Sequence, residues 1–228
     1  MRAILLPIKD FRNAKQRLAD VLAQEERVGL MQAMMEDVFA AVRGVRRAER
    51  IFVVTNFAPA IHEAEESGWE ILREDAQISE SASVDGASRL CAERGVIALL
   101  RLPLDLPLVR AEDIDELLSL ELSAPAAVIV PSRDGTGTNA LLRTPPTLFP
   151  SQFGEGSFAK HCAATERAGA QVVIKRNVRL EMDVDDANDL RALLQYDLSG
   201  TATGKWLAES GVAARFAARA MSAAARRT

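Results

Sequence analysis

The stretch Ala126-Ala-Val-Ile-Val-Pro131 runs directly into Ser132-Arg-Asp-Gly-Thr-Gly-Thr-Asn139, so that an apolar segment ends in a loop of small polar residues. Short apolar runs rich in valine and isoleucine are typical of strands buried on both faces. The glycines let the loop backbone approach a ligand closely, and its N–H groups and hydroxyls can bind an oxyanion such as phosphate. This sequence therefore indicates an α/β fold with a ligand site at a strand end.

The same alternation extends along the chain, because short apolar runs are separated by segments with apolar residues at helical spacing. The predicted strands are Ala3–Ile8, Arg50–Thr55, Trp69–Arg73, Val96–Leu102, Ala127–Pro131, Ala140–Arg143, Gln171–Lys175 and Leu180–Val184. The predicted helices are Glu25–Val42, Pro59–Glu66, Ser83–Glu93, Ala111–Leu120, Ser157–Ala168 and Asp186–Leu194. We expect a single α/β domain over residues 1–200, with a mostly parallel twisted sheet and helices on both faces.

Composition narrows the functional class. The 228 residues carry a net charge of −4, which argues against nucleic-acid binding. No stretch approaches the roughly 20 apolar residues that span a membrane, and the N-terminus reads as a strand rather than a signal peptide. Two cysteines and two histidines form neither a disulfide framework nor a His-rich metal site, so we expect a cytoplasmic protein. Residues 201–228, rich in alanine and arginine, predict a C-terminal helical extension that, with helix 25–42, could contact a second copy.

Charged residues follow the first and fourth predicted strands. Lys9, Arg12, Lys15 and Arg17 lie between the first strand and the first helix, where cations can bind a polyphosphate. This loop has neither a P-loop nor a dinucleotide-binding glycine pattern. Asp105 stands among prolines and leucines after the fourth strand, where it is either a Mg²⁺ ligand or an ordinary turn residue.

Two further segments have a functional and a structural interpretation. Asp183 and Asp185 alternate along an extended segment and so share one face, where with Asp105 they could bind Mg²⁺. Gly154, Gly156 and Ser157 precede a helix and could present N–H groups and a hydroxyl to an anion, although Ser157 could equally be a simple helix cap. Together with the basic loop, these segments suit nucleotidyl transfer, in which catalysis is positioning and charge neutralisation.

Several motifs, in chain order, resemble those of the 2-phospho-L-lactate guanylyltransferase family. They are Pro7-Ile-Lys9, Ala14-Lys15-Gln-Arg17-Leu18, Asp105-Leu-Pro107, Arg133-Asp-Gly-Thr-Gly-Thr-Asn139, Phe153-Gly-Glu-Gly-Ser-Phe158 and Asp183-Val-Asp185. The resemblance implies a nucleotide-diphospho-sugar transferase-like fold and a Mg²⁺-dependent reaction in coenzyme F-420 biosynthesis. In that reaction GTP guanylylates 2-phospho-L-lactate, phosphoenolpyruvate or 3-phospho-D-glycerate and releases pyrophosphate. The sequence leaves the choice of acid open, and the labile product suggests hand-over to the next enzyme.

The resemblance also assigns roles to residues. Lys9, Lys15 and Arg17 would be catalytic residues that hold the GTP phosphates, and Asp105 would be a catalytic ligand of Mg²⁺ with Asp183 and Asp185. Thr55 and Ser83, the latter in a loop over residues 81–85, would line the guanine pocket. The residues expected to bind the acceptor acid are Arg133, Thr136, Gly137, Thr138, Asn139, Gly154, Gly156 and Ser157.

Three other interpretations compete with this one. Molybdenum-cofactor and sugar-phosphate nucleotidyltransferases of the same fold typically have a glycine-rich loop after the first strand, and Lys9–Arg17 contains no glycine. A non-catalytic nucleotide-binding protein would not need Asp105 and Asp183. An α/β protein without a site would not be expected to place so many polar loops at one sheet edge.

Overall fold

The computed structural model describes residues 1–74 and 78–225, and within them the chain forms one seven-stranded sheet and eight α-helices. The strands are β1 (Arg2–Pro7), β2 (Arg50–Val54), β3 (Glu70–Leu72), β4 (Ala98–Arg101), β5 (Ala126–Pro131), β6 (Thr138–Thr144) and β7 (Gln171–Ile174). The helices are α1 (Gln24–Arg43), α2 (Ala58–Glu66), α3 (Glu80–Glu93), α4 (Ala111–Ser119), α5 (Ser157–Arg167), α6 (Ala187–Leu193), α7 (Ala202–Glu209) and α8 (Val212–Ala225). Two short 3-10 helices, Phe11–Asn13 and Gln16–Leu18, follow β1.

The sheet has the strand order β3-β2-β1-β4-β6-β5-β7. Strand β6 runs antiparallel to its neighbours β4 and β5, and the other pairs are parallel. The expectation of a mostly parallel sheet is therefore confirmed. As a consequence of this order, the carboxyl ends of β1, β4 and β5 and the loop that joins β5 to β6 lie along one edge.

Side chains alternate between the two faces of the sheet, as the strand period of two requires. On β1, Ile4 and Leu6 enter the main core with α1, α4 and α6, while Ala3 and Leu5 pack under α3 on the other face. Helix α5 covers the same second face beside β5, where it packs on Ile129. Helices thus cover both faces, as predicted, and both faces of the central strands are buried.

One predicted strand is wrong. Residues 180–184 form no ladder with the sheet, and their backbone instead follows the loop after β4, where the Val184 N–H donates to the Asp105 carbonyl at 3.2 Å. The predicted alternation nevertheless holds, because Leu180, Met182 and Val184 are buried in the main core. The intervening Asp183 and the following Asp185 therefore face the sheet edge together.

The predicted C-terminal helices lie mainly within the described residues, although Arg226 and the two residues after it lie outside them. Helix α7 packs on α1, and the Asp37 carboxylate of α1 accepts hydrogen bonds from the N–H groups of Ala202 and Thr203 at 2.6 and 2.9 Å. Leu207 is buried in the same core as the sheet helices. Over the part of the chain that the structure describes, no helix combines the length and hydropathy needed to cross a membrane.

Candidate active site

Two cavities open at the carboxyl edge of the sheet, where α/β folds bind their ligands. The basic-loop cavity, of about 590 Å³, is lined mainly by residues between Pro7 and Arg17. The glycine-loop cavity, of about 860 Å³, is lined by residues of segments 132–139 and 153–157 and by the acidic segment 183–189. Six residues line both cavities: Arg17, Glu80, Arg101, Pro103, Asp105 and Asp185. The two cavities are therefore neighbours that share a charged wall.

At this wall, Lys15 bridges two carboxylates. Its Nζ lies 2.5 Å from Oδ2 of Asp105 and 2.6 Å from Oδ1 of Asp185, and its side chain is only 7% exposed. Within the described chain, Lys15 is the one non-glycine residue with a positive φ, at 51°. Such a backbone costs about 1–3 kcal/mol and persists only where its surroundings hold it, which is typical of functional sites. The sequence analysis predicted the convergence of these residues but not the bridging position of Lys15.

The pKa values of the acids reflect this crowding. Burial and the neighbouring charges of Asp105 and Asp185 raise the pKa of Asp183 to about 7. Lys15 lowers the pKa of Asp185 by its charge and hydrogen bond, and Asp105 and Asp185 keep the pKa of Lys15 above its ordinary value despite burial. One ammonium group thus faces three carboxylates, and Asp183 lacks a cationic partner of its own within the cluster.

The donor set fits a divalent cation held by two carboxylates. Hard cations such as Mg²⁺ take carboxylate oxygens together with waters and substrate phosphates. Asp105 and Asp183 both line the glycine-loop cavity, and the pKa of Asp183 is raised by burial and then by the neighbouring carboxylates, whose charge a cation would neutralise. Asp185, the third predicted ligand, lines the same cavity and, like Asp105, is ion-paired with Lys15. In residues 1–74 and 78–225, no group of three or more His, Cys, Asp or Glu side chains is arranged as a ready metal site.

The basic-loop cavity contains most of the residues predicted to bind GTP. Lys9, Lys15, Arg17 and Ser83 line it, and Arg17 also donates to Asp186 at 2.9 Å. Thr55 does not, because its side chain is fully buried and its Oγ1 accepts the Phe57 N–H at 2.9 Å. The segment 81–85 is not a loop but the first turns of α3, and the Ser83 hydroxyl donates to the Ser79 carbonyl at 2.9 Å.

In the glycine-loop cavity, Asp134 organises the turn between β5 and β6. Its Oδ1 accepts the Ser132 hydroxyl at 2.6 Å and the N–H of Thr136 at 2.9 Å, and these bonds lower its pKa. The N–H of Gly137 donates to Ser132 Oγ at 2.7 Å, and a Cβ at Gly137 would lie 2.9 Å from the same oxygen. Only glycine therefore fits without a shift of this turn. Arg133, another predicted acceptor residue, points to Asp189 at 2.7 Å along the rim.

A buried histidine, His161, orients the hydroxyl of Thr138 as a hydrogen-bond donor. No sequence motif had indicated a role for this histidine. His161 Nε2 accepts the N–H of Gln152 at 3.0 Å, and Nδ1 lies 3.0 Å from Thr138 Oγ1. Burial, together with the charges of Arg143 and Arg101, lowers the pKa of His161 to about 3, so the ring is neutral. Since Nε2 is an acceptor, Nδ1 carries the proton and donates to Thr138. The hydroxyl proton of Thr138 then remains available to a ligand in the cavity.

The second glycine loop leads into α5. Gly154 and Gly156 have φ values of 109° and 67°, conformations that favour glycine, and Ser157 is the buried first residue of the helix. Gly154 and Ser157 line the cavity, whereas Gly156, predicted to bind the acceptor, is the helix N-cap and does not. Asn139 is buried and donates to the Leu180 carbonyl at 3.0 Å, and its side chain opposes the larger effect of burial on the pKa of Asp183.

Sequence reasoning missed Arg101 and Glu80, which line both cavities and form an ion pair. Arg101 ends β4, and its signal was a lone charge at the end of the apolar run Val96–Leu100. Glu80 is the first residue of α3, three residues before the predicted start of that helix. Nothing in the spacing of the sequence pairs these two residues, because the pairing depends on how α3 crosses the sheet.

The chain matches the family model described as guanylyl transferase CofC like over residues 1–226. It is 37% identical to a phosphoenolpyruvate guanylyltransferase from Rubrobacter xylanophilus, over 83% of this chain and 91% of that protein. It is also 29% identical to a 2-phospho-L-lactate guanylyltransferase from Methanothermobacter thermautotrophicus, over 84% of this chain and 83% of that one.

Solved structures share the fold at low sequence identity. A structure described as a nucleotide-diphospho-sugar transferase from Desulfovibrio desulfuricans has a TM-score of 0.73 at 17% identity, covering 94% of this chain and 97% of that one. A 4-diphosphocytidyl-2C-methyl-D-erythritol synthase has a TM-score of 0.57 at 11% identity, covering 84% of this chain and 96% of that one. These likenesses confirm the predicted fold class.

Proposed function

Since the chain belongs to the CofC-like guanylyl transferase family, we propose that it transfers GMP from GTP to a phosphorylated carboxylic acid in deazaflavin coenzyme F-420 biosynthesis. The chain is a nucleotidyltransferase. Its relatives are guanylyltransferases, and a solved nucleotidyl transferase shares its fold. Phosphoenolpyruvate and 2-phospho-L-lactate are the acids named for the relatives, and 3-phospho-D-glycerate is the third candidate acceptor. Pyrophosphate is the second product.

The observation that carries the proposal is the shared wall between the two cavities. A nucleotidyl transfer needs a nucleoside triphosphate and an anionic acceptor in contact, with positive charge at the point where they meet. The basic-loop cavity offers Lys9 and Arg17 to a triphosphate, and the glycine-loop cavity offers the hydroxyls of Thr138 and Ser157 to a second anion. Lys15, Asp105 and Asp185 lie where the two cavities meet.

The chemistry follows from this arrangement. An oxygen of the acceptor's phosphate attacks the α-phosphorus of GTP, the bond from that phosphorus to the bridging oxygen breaks, and pyrophosphate leaves with the bond electrons. The attacking phosphate is already an anion near neutral pH, so the reaction needs no Ser–His pair. The protein contributes in-line positioning and stabilisation of the charge that develops on pyrophosphate. Lys9 and Arg17 would supply that stabilisation.

We propose Mg²⁺ as the cofactor, held by Asp105 and Asp183. When bound, the ion neutralises phosphate charge and orients the reacting groups. Lys15 lowers the pKa of Asp185 and holds Asp105 and Asp185 in place by its two ion pairs.

The acceptor's phosphate would lie against the hydroxyls of Thr138 and Ser157 and the N-terminus of α5. The N–H groups of Ser157, Phe158 and Lys160 already donate to backbone carbonyls, so the helix N-terminus would favour an anion mainly by its dipole. The ring of His161 orients the Thr138 hydroxyl toward the cavity, as its hydrogen bonds indicate. Arg133, Thr136 and Gly137 form the outer rim of the same cavity.

The direct test is pyrophosphate release from Mg²⁺ and GTP, assayed in parallel with 2-phospho-L-lactate, phosphoenolpyruvate and 3-phospho-D-glycerate. We expect release with at least one acid, and its loss when ATP or CTP replaces GTP. No release with any acid from a folded protein that binds GTP would contradict the proposed acceptors. Release with ATP at the same rate would contradict guanine selectivity.

The proposal extends to the partners and the location of the protein. We expect it to act in the cytoplasm on small molecules, without nucleic acid or membrane. A homodimer built on α1 and the C-terminal helices, and hand-over of the product to the next enzyme, stay predictions. Analytical ultracentrifugation tests the first, and a pull-down with the enzyme that consumes the product tests the second.

A further inference from the structure

Arg101 is a buried cation at the boundary of the two cavities. It is the last residue of β4, its side chain is 7% exposed, and it lines both cavities. Burying a guanidinium is costly unless its N–H groups are paired. The contacts of Arg101 therefore show what the residue does.

Those contacts leave one edge of the guanidinium incompletely paired. Nη1 makes only long bonds to the carbonyls of Thr138 and Asn139, at 3.3 and 3.4 Å. Nη2 donates to Oε1 of Glu80. Nε is buried and has no hydrogen-bond partner in residues 1–74 and 78–225. Nε and Nη2 form the side-on edge of a guanidinium, which binds a carboxylate through two parallel bonds. Glu80 uses only the Nη2 half of that edge.

A purely structural ion pair would not leave this edge half used. A buried donor without a partner costs about 1–3 kcal/mol, so a structural pair would gain by closing both bonds. Glu80, in contrast, is the first residue of α3, and its side chain is 35% exposed. Its carboxylate can therefore rotate into solvent when another anion binds to Arg101. The guanidinium also packs over an aromatic ring, because its Cζ lies 4.2 Å from the centroid of the Phe153 ring.

The surroundings of Arg101 point to the acceptor rather than the nucleotide. Its carbonyl partners, Thr138 and Asn139, begin β6 and line the glycine-loop cavity. Phe153, which stacks on it, directly precedes the loop of Gly154 and Ser157 in the same cavity. The candidate acceptors all carry a carboxylate besides the phosphate, and an unfilled side-on guanidinium edge is complementary to a carboxylate.

We propose that Arg101 binds the carboxylate of the phosphorylated acid and that Glu80 holds the guanidinium in place until the acid enters. The proposal rests on the proposed function, since it assigns one group of its second substrate. It makes Arg101 a specificity residue that selects acids over simple phosphate monoesters.

The test compares the wild type with Arg101→Gln. We expect KM for the acid to rise about 30-fold or more, because a charged pair of hydrogen bonds is lost, while KM for GTP changes less than about threefold. The second probe is isopropyl phosphate, in which a methyl group replaces the carboxylate of 2-phospho-L-lactate. Its inhibition constant should change less than about threefold, since it offers nothing to Arg101.

Two further variants separate this role from a structural one. Arg101→Lys keeps the charge but not the side-on edge. We therefore expect its KM for the acid to lie between those of the wild type and Arg101→Gln. If Arg101→Gln does not fold, the comparison is made with Arg101→Lys. Glu80→Gln removes the competing carboxylate and should lower that KM by about threefold. Arg47→Gln, an exposed arginine after α1, is the matched control and should leave each constant unchanged.

The outcomes are distinct. An unchanged acid KM in Arg101→Gln, or an equal rise for the acid, GTP and isopropyl phosphate, would overturn the role of Arg101 and leave the proposed function intact. A Glu80→Gln variant with a raised acid KM would overturn the holding role of Glu80. Wild-type protein that releases no pyrophosphate with any acid would overturn the proposed function, and the assignment of Arg101 with it.

Discussion

At the scale of single residues, Asp105 connects the fold to the chemistry, because it follows β4, pairs with Lys15 and lines both cavities. We expect Asp105→Asn to lower kcat by about 100-fold or more, since a neutral amide is a poor Mg²⁺ ligand and leaves Lys15 with one carboxylate fewer. Thermal unfolding should show a folded protein.

Asp20→Asn, an exposed position before α1, is the control for that variant and should keep wild-type kcat. Chelation of divalent cations should abolish wild-type turnover, with recovery on addition of Mg²⁺. Turnover by Asp105→Asn at a near-normal rate would remove Asp105 from the proposed metal site.

A substitution at Ser157 tests whether the glycine-loop cavity binds the acid and not GTP. We expect Ser157→Ala to raise KM for the acid about tenfold or more, the value of one hydrogen bond to a charged phosphate, with KM for GTP unchanged. The steady-state constants for both substrates decide this. Ser119→Ala, an exposed hydroxyl on α4, is the control. Equal increases in both KM values would mean that Ser157 does not belong to the acceptor side.

Burial of His161 lowers the pKa of its ring, so we expect the stability of the protein to depend on pH. Its folded pKa of about 3 lies below the ordinary value near 6.5, so the unfolded chain binds a proton between these values that the folded chain does not. Stability is therefore lost as the pH falls through this window, by about 3 kcal/mol at pH 4 for this group alone. Urea unfolding at several pH values, compared between the wild type and His161→Gln, isolates the effect from that of other groups. Parallel pH curves for the two proteins would contradict it.

Residue types and strand-end positions explain why much of the candidate site was predictable. Lys15 and Asp105 converge because β1 and β4 end at one edge of the sheet, and Asp185 reaches them because its segment follows the loop after β4. Thr55 was misplaced, because the sequence does not show that its hydroxyl closes a turn to Phe57. Arg101 and Glu80 were missed, because their pairing depends on a crossing of α3 over the sheet that no spacing encodes.

At the scale of elements, alanine substitutions at two helical glycines distinguish the effect of close packing on stability from the effect of helix propensity. A Cβ at Gly204, on α7, would lie 2.3 Å from the Leu198 carbonyl oxygen, whereas at Gly86, on α3, the nearest atom is Arg89 Nη2 at 3.8 Å. We expect Gly204→Ala to destabilise the protein by about 1–3 kcal/mol, because backbone must shift. Gly86→Ala should stabilise it by up to about 1 kcal/mol through helix propensity.

Chemical unfolding of both variants measures this difference directly. Equal effects of the two substitutions on the free energy of unfolding would contradict the packing of α7 on the segment before it. The coupling of α7 to α1 through Asp37 is what places these C-terminal residues in the main core.

The error at residues 180–184 also belongs to the scale of elements. Alternating apolar residues predict one buried face, but a strand requires a neighbour with free hydrogen-bonding groups. Here the segment follows the loop after β4, with one bond from Val184 to Asp105, instead of a strand edge. The pattern therefore predicted correctly which side chains are buried and which acids face the site, and failed only for the hydrogen-bond partner.

At the scale of the whole molecule, the fold class followed from the alternation of apolar runs and helical segments, since that pattern permits few layered arrangements. The order of the strands did not follow, because the place of β6 between β4 and β5 depends on long-range pairing. The same order brings the glycine-rich loop after β5 beside Asp105 after β4. The two cavities and their shared wall are consequences of topology rather than of any single motif.

³¹P NMR of the reaction with Mg²⁺, GTP and each acid shows whether the acid's phosphate attacks the α-phosphorus of GTP. We expect inorganic pyrophosphate together with two mutually coupled signals from a new unsymmetrical diphosphate. The proposed attack is contradicted by GDP with a newly phosphorylated acid, by pyrophosphate without a new diphosphate, or by no reaction from folded protein that binds GTP.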